Sequence, residues 1–368
     1  MKYYIIAGEA SGDLHGASLI REIIFADKNA EIRFWGGDLM KNAGGNLIKH
    51  YKELSFMGFW EVLVNIYSIY KNFKFCKSDI DNFKPDVIIY IDYPGFNLRI
   101  AKWAKNKGYK NHYYISPQVW AWHESRVGSM KKNIDSLYVI LPFEKKFFEE
   151  KHNYQVKYVG HPLMEHIKEV KSESNTKIKS PLLSNKPLVT FLPGSRKQEI
   201  SKVLPELIKI QKNFPKYQFV VAGAPGRDMK DYIGCIKGYS IPIIFDETYT
   251  LIKSSVACIV TSGTATLETA LLGTPQIVCY KSSSLSYFIA KKIVDLEYIS
   301  LVNIIMNKEV VEELIQKDCN SRKLTHSLNK IIINSDQIKN DYKKLHQMLD
   351  KGGASKLTCD LIIQSLKK

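Results

Sequence analysis

Two doubly wound α/β domains facing each other across a cleft are what this sequence predicts, on three observations. Short β-branched and aromatic runs alternate with amphipathic helical stretches, which argues for parallel layers rather than a β-sandwich or a bundle. Glycine turns join several of these runs directly to helix starts. A polar, lysine-rich stretch at 168–187, with neither helical nor strand period, divides the chain in two. The 368 residues suffice for two large cores.

The first domain, 1–167, carries strand-like runs at 3–7, 32–35, 87–91, 112–115, 137–141 and 156–159. The second, 188–345, carries them at 188–192, 218–222, 242–245, 258–261 and 276–280. In the tail, 346–368, Ala354, Leu357, Leu361 and Ile362 fall at helical spacing. This predicts a closing helix that packs on the first domain or on a second subunit, so a homodimer stays open. Ligands of such sheets bind outside the carboxyl ends of the strands.

The first run ends in a glycine turn, Ala7-Gly-Glu-Ala-Ser-Gly-Asp13. A strand entering a helix through glycines aims backbone N–H groups and the positive end of a helix dipole at one spot, which suits an anionic or sugar-phosphate ligand. Gly8, Gly12 and Gly16 fit neither the dinucleotide spacing nor a P-loop. Glu9, Ser11 and Asp13 add polar groups within the turn.

Composition is that of a globular protein, 45% hydrophobic and 24% charged, and excludes disorder. A net charge of +16 points to an anionic partner such as nucleic acid, an acidic membrane or a phosphorylated substrate, or else to a solvated lysine surface. Scattered lysines and the lack of any recognised module speak against nucleic acid. Six cysteines without a Cys-x-x-Cys pair, and lone histidines at 15, 123 and 161, suggest neither metal nor disulfide, and a reducing compartment. The expectation is a cytosolic protein without signal peptide or spanning segment. One stretch, 56–75, is apolar nearly all round, with lysines gathered at its end. It reads either as a buried core helix or as a membrane-surface element, with Phe59, Trp60 and Leu63 as acyl-contacting candidates.

Four strand-end segments carry chemistry. Leu192-Pro-Gly-Ser-Arg196 opens a helix, where Gly194 and Ser195 allow close backbone approach and Arg196 can clamp a phosphate; surface charge is the plainer reading of that arginine. In 261–275, Ser262, Thr264 or Thr266 can cap a helix that Gly273 stops. Glu268 shares a face with Thr264 and can bind a ribose diol, with Gly263 at the turn. Asp92 lies at the end of a buried strand, either as a base or as the cap of the Pro94-Gly95 turn. Gln118 sits in 116–123, a loop with amide and indole donors able to orient a sugar.

Seven segments in order resemble the lipid-A-disaccharide synthase family: Ala7-Gly-Glu-Ala-Ser-Gly-Asp13, Ile91-Asp-Tyr-Pro-Gly-Phe-Asn97, Tyr114-Ile-Ser-Pro-Gln-Val-Trp-Ala-Trp122, Leu141-Pro-Phe-Glu144, Val159-Gly-His-Pro162, Leu192-Pro-Gly-Ser-Arg196 and Ser262-Gly-Thr-Ala-Thr-Leu-Glu268. The resemblance implies two Rossmann-like domains of GT-B glycosyltransferase architecture and an inverting reaction without metal or cofactor. The implied donor is UDP-2,3-diacylglucosamine and the acceptor 2,3-diacylglucosamine 1-phosphate (lipid X). The implied products are the β-1,6 disaccharide 1-phosphate of lipid A and UDP, made at the cytoplasmic face of the Gram-negative inner membrane.

By that resemblance Asp92 is the base, Arg196 and the helix from Ser262 neutralise the leaving diphosphate, Glu268 holds the ribose, and Glu9, Ser11, Asp13 and Gln118 line the acyl-sugar side. Asn303, within Ser300-Leu-Val-Asn303, matches a family motif whose asparagine is functional, although Val302 stands where the family usually has proline. Gly95 stands where many relatives carry a second aspartate, an alternative base. The rival readings are a related two-domain enzyme on another UDP-N-acetylglucosamine substrate, a nucleic-acid-binding protein and a lipid-binding module without catalysis.

Overall fold

The structure, a computed structural model, describes residues 1–54, 66–172, 178, 184–283 and 296–367. The apolar runs become two parallel sheets. The first contains β1 (Lys2–Ala7), β2 (Glu31–Gly36), β3 (Asn46–His50), β4 (Val87–Ile91), β5 (Asn111–Tyr114), β6 (Ser136–Val139) and β7 (Lys157–Tyr158), in the order β3-β2-β1-β4-β5-β6-β7. The second contains β8 (Leu188–Leu192), β9 (Gln218–Ala222), β10 (Ile243–Ile244), β11 (Ser255–Thr261), β12 (Gln276–Tyr280) and β13 (Glu313–Ile315), in the order β10-β9-β8-β11-β12-β13. Each thus runs outward in both directions from its first strand, the doubly wound order. Strands β4 and β8 are buried at every residue, because helices cover both faces of a parallel sheet. Helix Lys197–Ile208 shows how: Ile200, Val203, Leu204, Leu207 and Ile208 form its single buried stripe.

Compact units are Met1–Leu163 together with Leu349–Lys368, and Met164–Met348. Helix Leu163–Ser172 occupies the start of the stretch expected to lack structure, and helix Ser335–Leu349 runs through the expected boundary at 345/346. In the first unit, helix Ala354–Leu366 packs along helix Ala10–Ala26 and buries Ala354, Thr358, Cys359 and Ile362. Ser365 Oγ lies 3.3 Å from Nε2 of the buried His112, and Lys110 Nζ donates to the Ser365 carbonyl.

Two strands had no sequence signal. Asn-Leu-Ile-Lys-His of β3 is an edge strand with no buried residue, and β13 is only three residues long. Helix Ile66–Phe83 extends past 75 and is amphipathic in its described part: Cys76 and Ile80 are buried, while Tyr70 and Phe75 are exposed. Phe59, Trp60 and Leu63 lie outside the described residues.

Asp13 organises this unit. It is 3% exposed, and its carboxylate accepts from Gly37 N (2.7 Å), Leu39 N (3.1 Å) and Met40 N (3.0 Å) at the start of helix Asp38–Ala43. A residue expected to line a sugar site is therefore engaged by the backbone after β2. Asp13→Ala strands those donors, so thermal unfolding should show a loss of about 3 kcal/mol and a Tm lower by several degrees, on the order of 5–10 °C. An unchanged Tm would mean that water replaces the carboxylate without cost.

Candidate active site

Both sheets reverse strand order beside their first strand, between β1 and β4 and between β8 and β11. At such a point the helices that follow leave to opposite faces and the carboxyl edge opens into a crevice. Of the sequence candidates, Glu9, Asp92, Arg196, Ser262 and Gly263 follow the four strands that border these two points, each within its own unit.

In the first unit, Glu9 and Ser11 follow β1 and are exposed. Asp92 and Tyr93 follow β4, both in the left-handed region, with φ of 44° and 50°. That conformation costs a non-glycine residue roughly 1–3 kcal/mol and persists only where surroundings impose it. The Tyr93 ring lies against Gly8, where an added Cβ would stand 2.3 Å from its Cδ1. This close approach is why the opening turn needs glycine there. Burial, and then the charge of Glu9, push the Asp92 carboxyl up to about 6. Gln118 is exposed in the loop after β5, the strand beside β4.

The sequence reading did not assign a role to Glu144, which is buried after β6. Its carboxylate accepts from Ile140 N (3.1 Å), Leu141 N (2.9 Å) and the Trp120 indole (3.3 Å). Burial pushes it up to about 7, against those donors, with the charge of Asp92 a further upward contribution. His161 is likewise structural: its Nδ1 accepts from Leu163 N (3.2 Å), and burial, then the charge of His15, push it down to about 3. Among the described residues no three His, Cys, Asp or Glu side chains are grouped to hold a metal ion.

In the second unit, Gly194 has φ 110° and a Cβ there would stand 2.5 Å from Glu199 Oε2. That oxygen accepts from Ser195 N (3.1 Å) and Arg196 N (3.2 Å), so the loop amides expected to meet a phosphate are turned onto an internal carboxylate. The Arg196 side chain is 72% exposed, with its guanidinium 3.6 Å from the same carboxylate. Across the crevice, helix Thr264–Leu272 starts after Gly263 without a side-chain cap. Two of the three hydroxyls expected to cap it are used elsewhere: Ser262 Oγ donates to Ile299 O (2.9 Å) and Thr266 Oγ1 to Gly263 O (2.8 Å). Gly263 and Thr264 are exposed, and Gly273 ends the helix in the left-handed conformation (φ 91°). Glu268 lies beside Tyr249, whose ring meets His166 edge-on at 5.2 Å; burial pushes the Glu268 carboxyl up.

Asn303 is not presented to a ligand. It is fully buried; its Nδ2 donates to Val311 O (2.8 Å) and Glu313 Oε1 (2.9 Å), and its Oδ1 accepts from Val310 N (2.8 Å) and Val311 N (3.0 Å). Glu313 in turn takes the N–H groups of Ile299 and Ser300. Asn303 therefore builds the loop on which Ser262 rests. Glu199, Tyr249 and Glu313 were missed because their partners lie in neighbouring turns or strands; only the offset from Arg196 to Glu199, three residues into a helix, is a readable capping signal.

The chain matches the family described as "Lipid-A-disaccharide synthetase" over residues 3–363. It is similar to the lipid-A-disaccharide synthase of Syntrophus aciditrophicus, with 38% identity over 95% of this chain and 93% of that one. It is also similar to lipid-A-disaccharide synthase 1 of Legionella pneumophila (strain Lens), with 35% identity over 98% and 97%. In fold it resembles the UDP-GlcNAc 2-epimerase of Neisseria meningitidis (TM-score 0.69, 12% identity, 99% of this chain and 100% of that one). A calicheamicin glycosyltransferase is similar at TM-score 0.63 and 13% identity, covering 100% and 98%.

A carboxyl with this upward shift can accept a proton only when ionised, so a base role for Asp92 predicts turnover falling about tenfold per pH unit below about 6. Glu9→Gln removes a neighbouring negative charge and should move that limb to lower pH in a pH–rate profile. A limb that stays in place would show that Glu9 does not act on Asp92.

Proposed function

The chain belongs to the lipid-A-disaccharide synthetase family, and from that premise we propose how its residues divide the reaction. The enzyme is a glycosyltransferase of lipid A biosynthesis that uses a UDP-sugar donor and a glycolipid acceptor. It joins UDP-2,3-diacylglucosamine to 2,3-diacylglucosamine 1-phosphate, forming the β-1,6 disaccharide 1-phosphate and releasing UDP.

Asp92 takes the proton of the acceptor 6-hydroxyl as that oxygen attacks the donor anomeric carbon from the face opposite UDP. The bond from the anomeric carbon to the diphosphate oxygen breaks with inversion. The observation that carries this reading is a half-buried carboxylate at the β1/β4 crevice, lifted towards the pH at which a base works best. Glu9, Ser11 and Gln118 orient the acceptor, and Asp13 supports them from within the fold. On the donor side, the exposed Arg196 and the uncapped start of helix Thr264–Leu272 receive the negative charge that develops on UDP. Glu268, steadied by Tyr249, accepts from the ribose hydroxyls.

The enzyme works at the cytoplasmic surface of the inner membrane, where its acylated substrates reside. Among the described residues no helix is long and apolar enough to cross a membrane. What supports surface contact is helix Ile66–Phe83, which exposes Tyr70 and Phe75 beside the exposed Lys71 and Lys74. Aromatic side chains next to lysines suit an anionic lipid interface.

Thin-layer detection of the disaccharide with both acylated substrates tests the assignment. Wild-type protein should form it, and Asp92→Ala should form it at least about a hundredfold more slowly while still binding UDP. Wild-type turnover in that variant would transfer the base role elsewhere. Flotation with anionic vesicles should weaken with salt and drop when Tyr70 and Phe75 are both replaced by serine; flotation indifferent to both changes would remove this helix from the membrane contact.

A further inference from the structure

Asp92 and Tyr93 are consecutive left-handed non-glycine residues, so something must hold them there. The Asp92 carbonyl accepts from Asn97 Nδ2 (2.7 Å) and from the Tyr113 hydroxyl (2.5 Å). Asn97 lies on the first turns of helix Pro94–Asn106, is fully buried, and its own N–H donates to Tyr93 O (3.0 Å). The same Nδ2 stands 3.3 Å from Ile6 O and 3.4 Å from Ile91 O, at the carboxyl ends of β1 and β4. One amide group thus ties together the two strand ends that border the crevice and the turn that carries Asp92. Its other atom, Oδ1, is buried with no partner. Tyr113 reaches the carbonyl from β5, where it belongs to the same buried cluster as Phe96, Ile100 and Ala101 of that helix.

We propose that Asn97 and Tyr113 are positioning residues for the transfer reaction, clamping the Asp92 carbonyl so that the left-handed turn presents its carboxylate to the acceptor hydroxyl. This rests on the reading of Asp92 as the base. Without the clamp the peptide after Asp92 rotates towards ordinary backbone geometry, and the carboxylate leaves both the attacking oxygen and its half-buried setting beside Glu9. The consequence falls on the chemical step rather than on either substrate's binding.

Tyr113→Phe removes one oxygen from a buried ring, and Asn97→Ala removes the amide. In the full-length enzyme with both acylated substrates, Tyr113→Phe should lower kcat about tenfold and Asn97→Ala more, with both KM values within about twofold of wild type. The acid limb of the kcat profile should move down from about 6 towards the ordinary carboxylate range, as the carboxylate gains water. UDP affinity, measured by calorimetry, should not change. Should Asn97→Ala fail to fold, Tyr113→Phe carries the test alone. Unchanged kcat, or a loss of kcat with the acid limb in its wild-type position, overturns the clamp. Wild-type turnover in Asp92→Asn instead overturns the base assignment on which the clamp rests.

Discussion

A parallel sheet that winds outward from its first strand must open its carboxyl edge beside that strand, and this constraint organises both units. The strand order reverses between β1 and β4 and between β8 and β11, so the turns after these four strands border the places where the carboxyl edge opens. Glu9, Asp92, Arg196, Ser262 and Gly263 all sit on those turns. Their neighbourhood follows from topology, not from any property of the side chains. Side-chain chemistry then decides what each crevice does.

The two crevices present different groups, within a chain of net charge +16. The first collects carboxylates: Glu9 at the mouth, Asp92 half-buried and Glu144 enclosed, and burial pushes the last two above the usual carboxylate range. The second presents a guanidinium and a helix start. Taking up a proton and receiving a leaving anion need these two environments, and strongly perturbed acids in a crevice are how a protein makes a base at neutral pH. The overall positive charge is thus uninformative about the first site, where carboxylates gather.

Strands of mostly aliphatic and aromatic residues, such as β4 and β8, were legible because burial on both faces leaves few polar positions to blur the pattern. β3 was not, since an edge strand needs few apolar residues. At the site, the turn positions of Asp92 and Arg196 could be read from strand-to-helix spacing alone. Asp13 and Asn303 could not be told from ligand-binding residues, because a polar side chain near a turn serves a substrate or the backbone equally well. The deciding partners, Gly37 to Met40 for Asp13 and Val310 to Glu313 for Asn303, are tertiary neighbours. The same limit hid the amide of Asn97: its spacing from Asp92 was visible, but the convergence of three carbonyls on it arises only when β1 and β4 lie side by side.

The closing helix Ala354–Leu366 belongs to the unit that begins the chain, whereas Met164–Met348 is continuous. During synthesis the continuous unit has all its parts once Met348 has emerged. The first unit has its sheet far earlier, yet the part of helix Ala10–Ala26 that meets the closing helix stays uncovered until the segment after Leu349 arrives. Assembly therefore runs out of sequence order: the domain translated first is the last to be completed. Through that interval the waiting surface is open to unwanted association.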